Sequence, residues 1–100
     1  MGQEVKVRRF KNIIGRQVSF ARKKQGMTQY QLAAKLQIAG FSVDNIGVSK
    51  IEHQIRSVND YEVQIIADIL NVPVETLFPH IQETKASLNR LHQGFRKELR

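Results

Sequence analysis

The chain has no cysteine, no tryptophan and only two prolines among its 100 residues, and it contains no long uninterrupted apolar run. Without cysteine there are no disulfides, thiolate nucleophiles or thiolate metal sites, which accords with a reducing cytoplasm. No segment approaches the roughly 20 apolar residues that a bilayer-spanning helix needs. The opening MGQEVKVRRF also lacks the apolar stretch of a signal peptide. A soluble, cytoplasmic protein without membrane contact is therefore expected. The histidines, His53, His80 and His92, are too scattered to form a metal-ligand set. No serine–histidine–aspartate group, glycine-rich phosphate loop or carboxylate pair stands at plausible spacing. Neither catalysis nor a cofactor, metal or small-molecule site is expected.

Acidic residues are also scarce, but only at one end. Residues 1–35 hold nine Lys or Arg against Glu4 alone, whereas residues 57–84 hold five acids and no Lys or Arg. A polyanion would be drawn to the first half and repelled by the second, with much of its affinity coming from released counterions. Charge alone is met equally well by a solvated basic face.

What is present is helical periodicity, at a length that suits one domain. From Asn12 to Gln25 apolar residues fall at Ile14, Val18 and Ala21, with Ile13 and Phe20 widening the stripe, and Gly26 offers a stop. Thr28-Gln29-Tyr30-Gln31 forms a capping box that starts a second helix burying Leu32, Ala33 and Leu36. Residues 37–43 read as loop, with Ile38, Phe41 and Val43 tucked inward. Asp44 is an N-cap for a third helix whose core side is Val48 and Ile51, leaving Asn45, Ile46, Ser49 and Lys50 outward. Gly47 inside it costs about 1 kcal/mol relative to Ala, so it signals either a close backbone approach or tolerance. Asn59 and Glu62 open a fourth helix that carries Val63, Ile66, Ala67 and Leu70 and stops at Asn71. Pro73 opens a short fifth carrying Leu77 and Phe78 inward, and Pro79 ends it. Beyond it Ile81, Leu88 and Phe95 recur every seven residues, beside Leu91 and Leu99, which predicts a sixth, amphipathic helix to about Gln93. Its stripe is either a dimer seam or a face packed on its own domain.

Residues 14–78, with Gly-Met-Thr-Gln before the second helix, Leu-Ala-x-x-Leu within it, Ile-Glu closing the third and a run ending in Leu-Phe, resemble the phage repressor and Cro type of helix-turn-helix domain, the Xre family. The resemblance implies an all-α, five-helix repressor-like bundle over residues 12–79, flanked by a basic arm at 1–11 and the C-terminal helix and tail at 80–100. It also implies a sequence-specific regulator of transcription that binds double-stranded DNA, with residues 44–53 as the reading helix. Asn45, Ile46, Ser49 and Lys50 then fall at base-reading positions, where Asn suits adenine, Lys guanine and Ile a thymine methyl. Thr28, Gln29 and Arg56 fall where the family holds the DNA backbone, and Arg22 and Glu52 match a structural ion pair. A homodimer on two half-sites is expected; the rival reading is a protein-interaction module, an antitoxin or adaptor on the same fold. Lys6, Arg8, Arg9 and Lys11 form either an arm for the minor groove or a solvated tail.

Three departures from the family stand out. About five extra residues lie between the second and third helices, and Gln54 stands where the family commonly has Gly. The outward face of the third helix also has only Lys50 as a cation and begins with Asp44, whose charge is unfavourable near phosphate unless its cap hydrogen bonds absorb it. Loop length itself is mild, since doubling a loop costs about 0.6 kcal/mol. The third helix stays aimed outward provided Phe41 and Val43 anchor the linker to the core.

Overall fold

A computed structural model of the protein describes residues 10–88. Four α-helices, Gly15–Lys24 (α1), Gln29–Ile38 (α2), Asn45–Glu52 (α3) and Asp60–Leu70 (α4), precede a 3₁₀ turn, Val74–Leu77. Residues 81–88 are again helical, and no strand occurs among the described residues. The fold is all-α. Of the sequence expectations, Lys6, Arg8 and Arg9 of the arm and Leu91, Phe95 and Leu99 of the C-terminal stripe lie outside the described residues, as does the helix end near Gln93.

Each helix closes in the same way. Gly26, Gly40, Gln54 and Asn71 carry the positive φ values of the described chain, at 69°, 95°, 65° and 55°. One residue later an amide reaches back across the helix end: Met27 to the Arg22 carbonyl, Phe41 to Leu36, Ile55 to Lys50 and Val72 to Ala67, at 2.9–3.1 Å. This pairing satisfies carbonyls that the helix leaves without partners. The starts are set by side chains. Thr28 accepts from the Gln31 amide at 3.0 Å while Gln31 accepts from the Thr28 amide at 2.9 Å, and the Asp44 carboxylate accepts from the Gly47 amide at 2.8 Å. Glu62 accepts from the Asn59 amide at 2.9 Å.

The core gathers Ile14 and Val18 of the α1 region, Leu32, Ala33 and Leu36 of α2, Val48 and Ile51 of α3, Val63, Ile66, Ala67 and Leu70 of α4, and Leu77. Phe41 and Val43 join it at 4% and 7% exposure, so the linker is anchored. α3 packs chiefly on α2, then on α1. A Cβ on Gly47 would overlap the Val43 side chain, so the glycine marks a close approach between α3 and the linker.

Four expected core contacts differ. Phe20 is exposed because it stands two residues, about 200°, from the buried Val18. Ile13 precedes the helix, which starts at Gly15 rather than Asn12, and is exposed. Ile38 is 88% exposed: α2 runs on through it instead of ending at Leu36, and the helical step past Leu36 turns it to solvent. Phe78 takes an extended conformation with ψ 137°, which the following Pro79 favours, and this swings its ring outward while Leu77 stays buried. The fifth helix is thus a single 3₁₀ turn of four residues.

Candidate nucleic-acid interface

The arrangement starts from how α3 is held. Its inner side, Val48 and Ile51, is about 1% exposed. The helical period then turns Asn45, Ile46 and Lys50 to solvent, with Ile46 59% exposed, and leaves Ser49 half-buried. The His53 ring nitrogen Nδ1 lies 2.8 Å from the Ser49 carbonyl oxygen and 3.4 Å from its hydroxyl, so the Ser49 side chain is shared with the end of its own helix. Asp44 spends its carboxylate on the cap, where the partial positive charge of the helix N-terminus meets it.

The far end of α3 is fixed by a buried ion pair. Arg22 of α1 donates through Nε and a terminal nitrogen to the two Glu52 carboxylate oxygens at 2.6 and 2.9 Å, and through another nitrogen to the Met27 carbonyl at 2.7 Å. Gln29, the first residue of α2, adds a bond from its amide nitrogen to Glu52 at 3.0 Å. Burial pushes the Glu52 carboxyl up, but the hydrogen bonds from Arg22 and Gln29, the Arg22 charge and a Ser19 bond outweigh it, so its pKa lies below the ordinary value. Gln29 therefore stands at the start of α2 with one amide hydrogen committed to α3, and the exposed Thr28 is committed to its capping box.

Arg56 lies past the end of α3. Its guanidinium sits 5.3 Å from the centroid of the Phe41 ring, 3.6 Å from Glu62, and donates to the Ser57 carbonyl at 2.9 Å. Its side chain remains 32% exposed.

Asn12, which sequence reasoning passed over, and Gln54, noted there only as a departure from glycine, tie this end of α3 to the entry of α1. The Asn12 side-chain amide donates to the carbonyls of Ile51 at 3.1 Å and Arg56 at 2.8 Å, while its oxygen accepts from the Ile14 and Gly15 amides. The Gln54 side chain donates to the Asn12 carbonyl at 3.1 Å, and the Lys11 amide donates to the Gln54 carbonyl at 2.9 Å. A Cβ on Gly15 would overlap the Ile51 carbonyl oxygen, so backbone meets backbone there. Asn12 was findable, since an Asn just ahead of an apolar-periodic run is an N-cap signal. Nothing local marks the Gln54 contact.

The arrangement displays a short helix by one face, braced through Glu52 at its last turn with Asn45, Ile46 and Lys50 exposed, beside a pinned arginine. No group of acids and histidines that could hold a metal occurs among the described residues, and none of their helices is long and apolar enough to cross a membrane. In comparisons with known proteins, a family model described as Helix-turn-helix matches residues 19–77. No curated protein and no solved structure matches the chain.

Proposed function

The chain belongs to the Xre-type helix-turn-helix family, whose domains bind DNA, and from that membership we propose that it is a sequence-specific transcriptional regulator that reads the major groove with α3. The observation that carries this reading is the orientation of α3. Its apolar side is buried against the bundle, chiefly against α2, so Asn45, Ile46 and Lys50 face outward on a helix that cannot rotate without exposing Val48 and Ile51. Asn45 and Lys50 supply hydrogen bonds to base edges, Ile46 contacts a thymine methyl, and Ser49 takes a smaller part because it is half-buried. Thr28, Gln29 and Arg56 grip the flanking backbone and set register without reading sequence.

The binding unit spans residues 12–79 and acts in the cytoplasm as a homodimer on two half-sites, since one such domain buries little DNA and symmetric pairing doubles it. Ile81 and Leu88, seven residues apart on the C-terminal helical stretch, are 57% and 50% exposed, which supports a dimer seam over packing on their own domain.

Selection of bound duplexes from a random library tests the reading. Lys50→Ala is expected to change base preference at one position, while Gln29→Ala weakens all sequences alike. Affinity falls steeply with salt. Identical profiles for the two variants would remove α3 as the reader. A chain with no salt-dependent duplex binding would instead be a protein-interaction module that uses the exposed Ile46.

A further inference from the structure

We propose that Phe41 of the lengthened linker is a positioning residue for the DNA-backbone contact of Arg56, so that the linker is part of the grip on DNA rather than a spacer. This rests on the reading of Arg56 as a phosphate contact. The linker places the ring by two means. The Phe41 amide closes the end of α2 on the Leu36 carbonyl at 2.9 Å, and the side chain is buried at 4% exposure. The ring is therefore fixed before any ligand arrives.

Arg56 lies 5.3 Å over that ring, with Glu62 at 3.6 Å and the Ser57 carbonyl at 2.9 Å as its other restraints. Neither polar restraint is strong on its own. The Glu62 contact is long and its carboxylate already serves the Asn59 amide, and the Ser57 contact reaches only the next residue. The ring adds a third restraint, because a guanidinium over an aromatic face within about 6 Å of its centroid is drawn to it. A free arginine loses much rotamer freedom when it is immobilised on a phosphate, whereas one already pinned in the unbound protein loses little. With 32% of its side chain exposed, Arg56 is held and still able to reach an anion. Glu62 holds the cation without quenching it, since at 3.6 Å the pair is near the limit of a salt bridge.

The test is a double-substitution cycle on the full chain. Phe41→Leu, Arg56→Ala and the pair are titrated with a long mixed-sequence duplex over a range of potassium chloride concentrations, with thermal unfolding alongside. Phe41→Leu is expected to weaken binding about three- to tenfold and to shift the salt dependence toward that of one fewer phosphate contact. It is expected to add nothing once Arg56 is alanine, and to leave base preference in a random library unchanged. In heteronuclear NMR the Arg56 side-chain N–H resonance should lose its ring-current shift. Phe41→Met, which keeps apolar bulk without a ring, serves if the leucine variant does not fold. Equal losses in both backgrounds, or full affinity with a folded Phe41→Leu chain, overturn the proposal while leaving the DNA reading intact. Full affinity of Arg56→Ala removes Arg56 as a phosphate contact and the proposal with it, and a wild-type chain that binds no duplex removes the regulator reading itself.

Discussion

The last turn of α3 is held by polar, directional contacts, mostly toward the α1 region with Gln29 of α2 adding one, whereas its inner side is held by apolar burial. On the α1 side stand the Arg22–Glu52 pair, the Asn12 and Gln54 side chains and the bare backbone at Gly15. On the other side Val48 and Ile51 are buried in the same core as Leu32, Leu36, Phe41 and Val43. The two supports do different work. Apolar burial stabilises but fixes angle weakly, because it scales with area and carries no direction. Hydrogen bonds to a planar guanidinium and to carbonyls at the last turn of α3 fix the angle. In the proposed reading α3 needs both, since a small misalignment at its braced end is carried along the helix to Asn45 and Ile46 at its start.

The sharpest way to break this comparison is to remove one charge from the polar side. Arg22→Ala leaves a buried carboxylate with only Gln29 and Ser19 as partners and is expected to cost about 3–5 kcal/mol, a large part of the stability of a small domain, as read from a denaturant midpoint. Acid reports the same contact with a sign. In the wild-type chain the folded pKa of Glu52 is depressed, so its contribution is fully present above the ordinary value of 4.5 and is lost as the pH falls through the lower folded value. Arg22→Ala removes two of the four influences that lower this pKa while burial remains, so the loss of stability toward acid should shrink or reverse. A wild-type slope retained in Arg22→Ala would show that the pair is not what holds Glu52 ionised.

A smaller effect is expected from Gly15→Ala, whose Cβ must push α1 away from the Ile51 carbonyl; about 1–3 kcal/mol is the range for such crowding, checked by thermal unfolding. The smallest concerns two helix ends that share one conformation. Gly40, after α2, has nothing within 4 Å of an added Cβ, and Gln54, after α3, has positive φ but bonds to Asn12. Gly40→Gln gains no such partner and should cost about 1–2 kcal/mol. Gln54→Gly relieves the strain but loses the bond and gains chain entropy in the unfolded state, so it should stay within about 0.5 kcal/mol. A large loss in Gln54→Gly would mean that the Asn12 contact outweighs the backbone strain.

Most of what was legible in the sequence is local. Thr28 with Gln31, Asp44, Gly26 and Asn71 mark helix ends because each acts within a few residues of itself, and the structure has them in those roles. The inward placing of Phe41 and Val43 followed from apolar residues beside a glycine in a joint of mixed polarity, and Arg22 with Glu52 followed from the family resemblance. The seating of α3 was not legible where it joins distant residues. Asn12 and Gln54 lie more than forty positions apart, and a glutamine in the left-handed conformation has no preference that announces it. Ile38 and Phe20 misled for a related reason: apolar character in a sequence does not say which neighbours will be there to cover it. The outward set Asn45, Ile46 and Lys50 was readable from period alone once Val48 and Ile51 were assigned to the core.

The joint between α2 and α3 is self-contained at both ends. α2 closes on its own terminal residues at Gly40 and Phe41, and α3 opens on its own Asp44; a single side-chain bond, Gln37 to the Val43 carbonyl at 2.7 Å, bridges the joint. Neither helix borrows a backbone partner from the other across the gap, so the bonds that close α2 and open α3 do not by themselves set the number of residues between them. The exposed Ser42 stands between the two buried anchors, and their seating, with the Gln37 bond to Val43, is what sets the span of the joint.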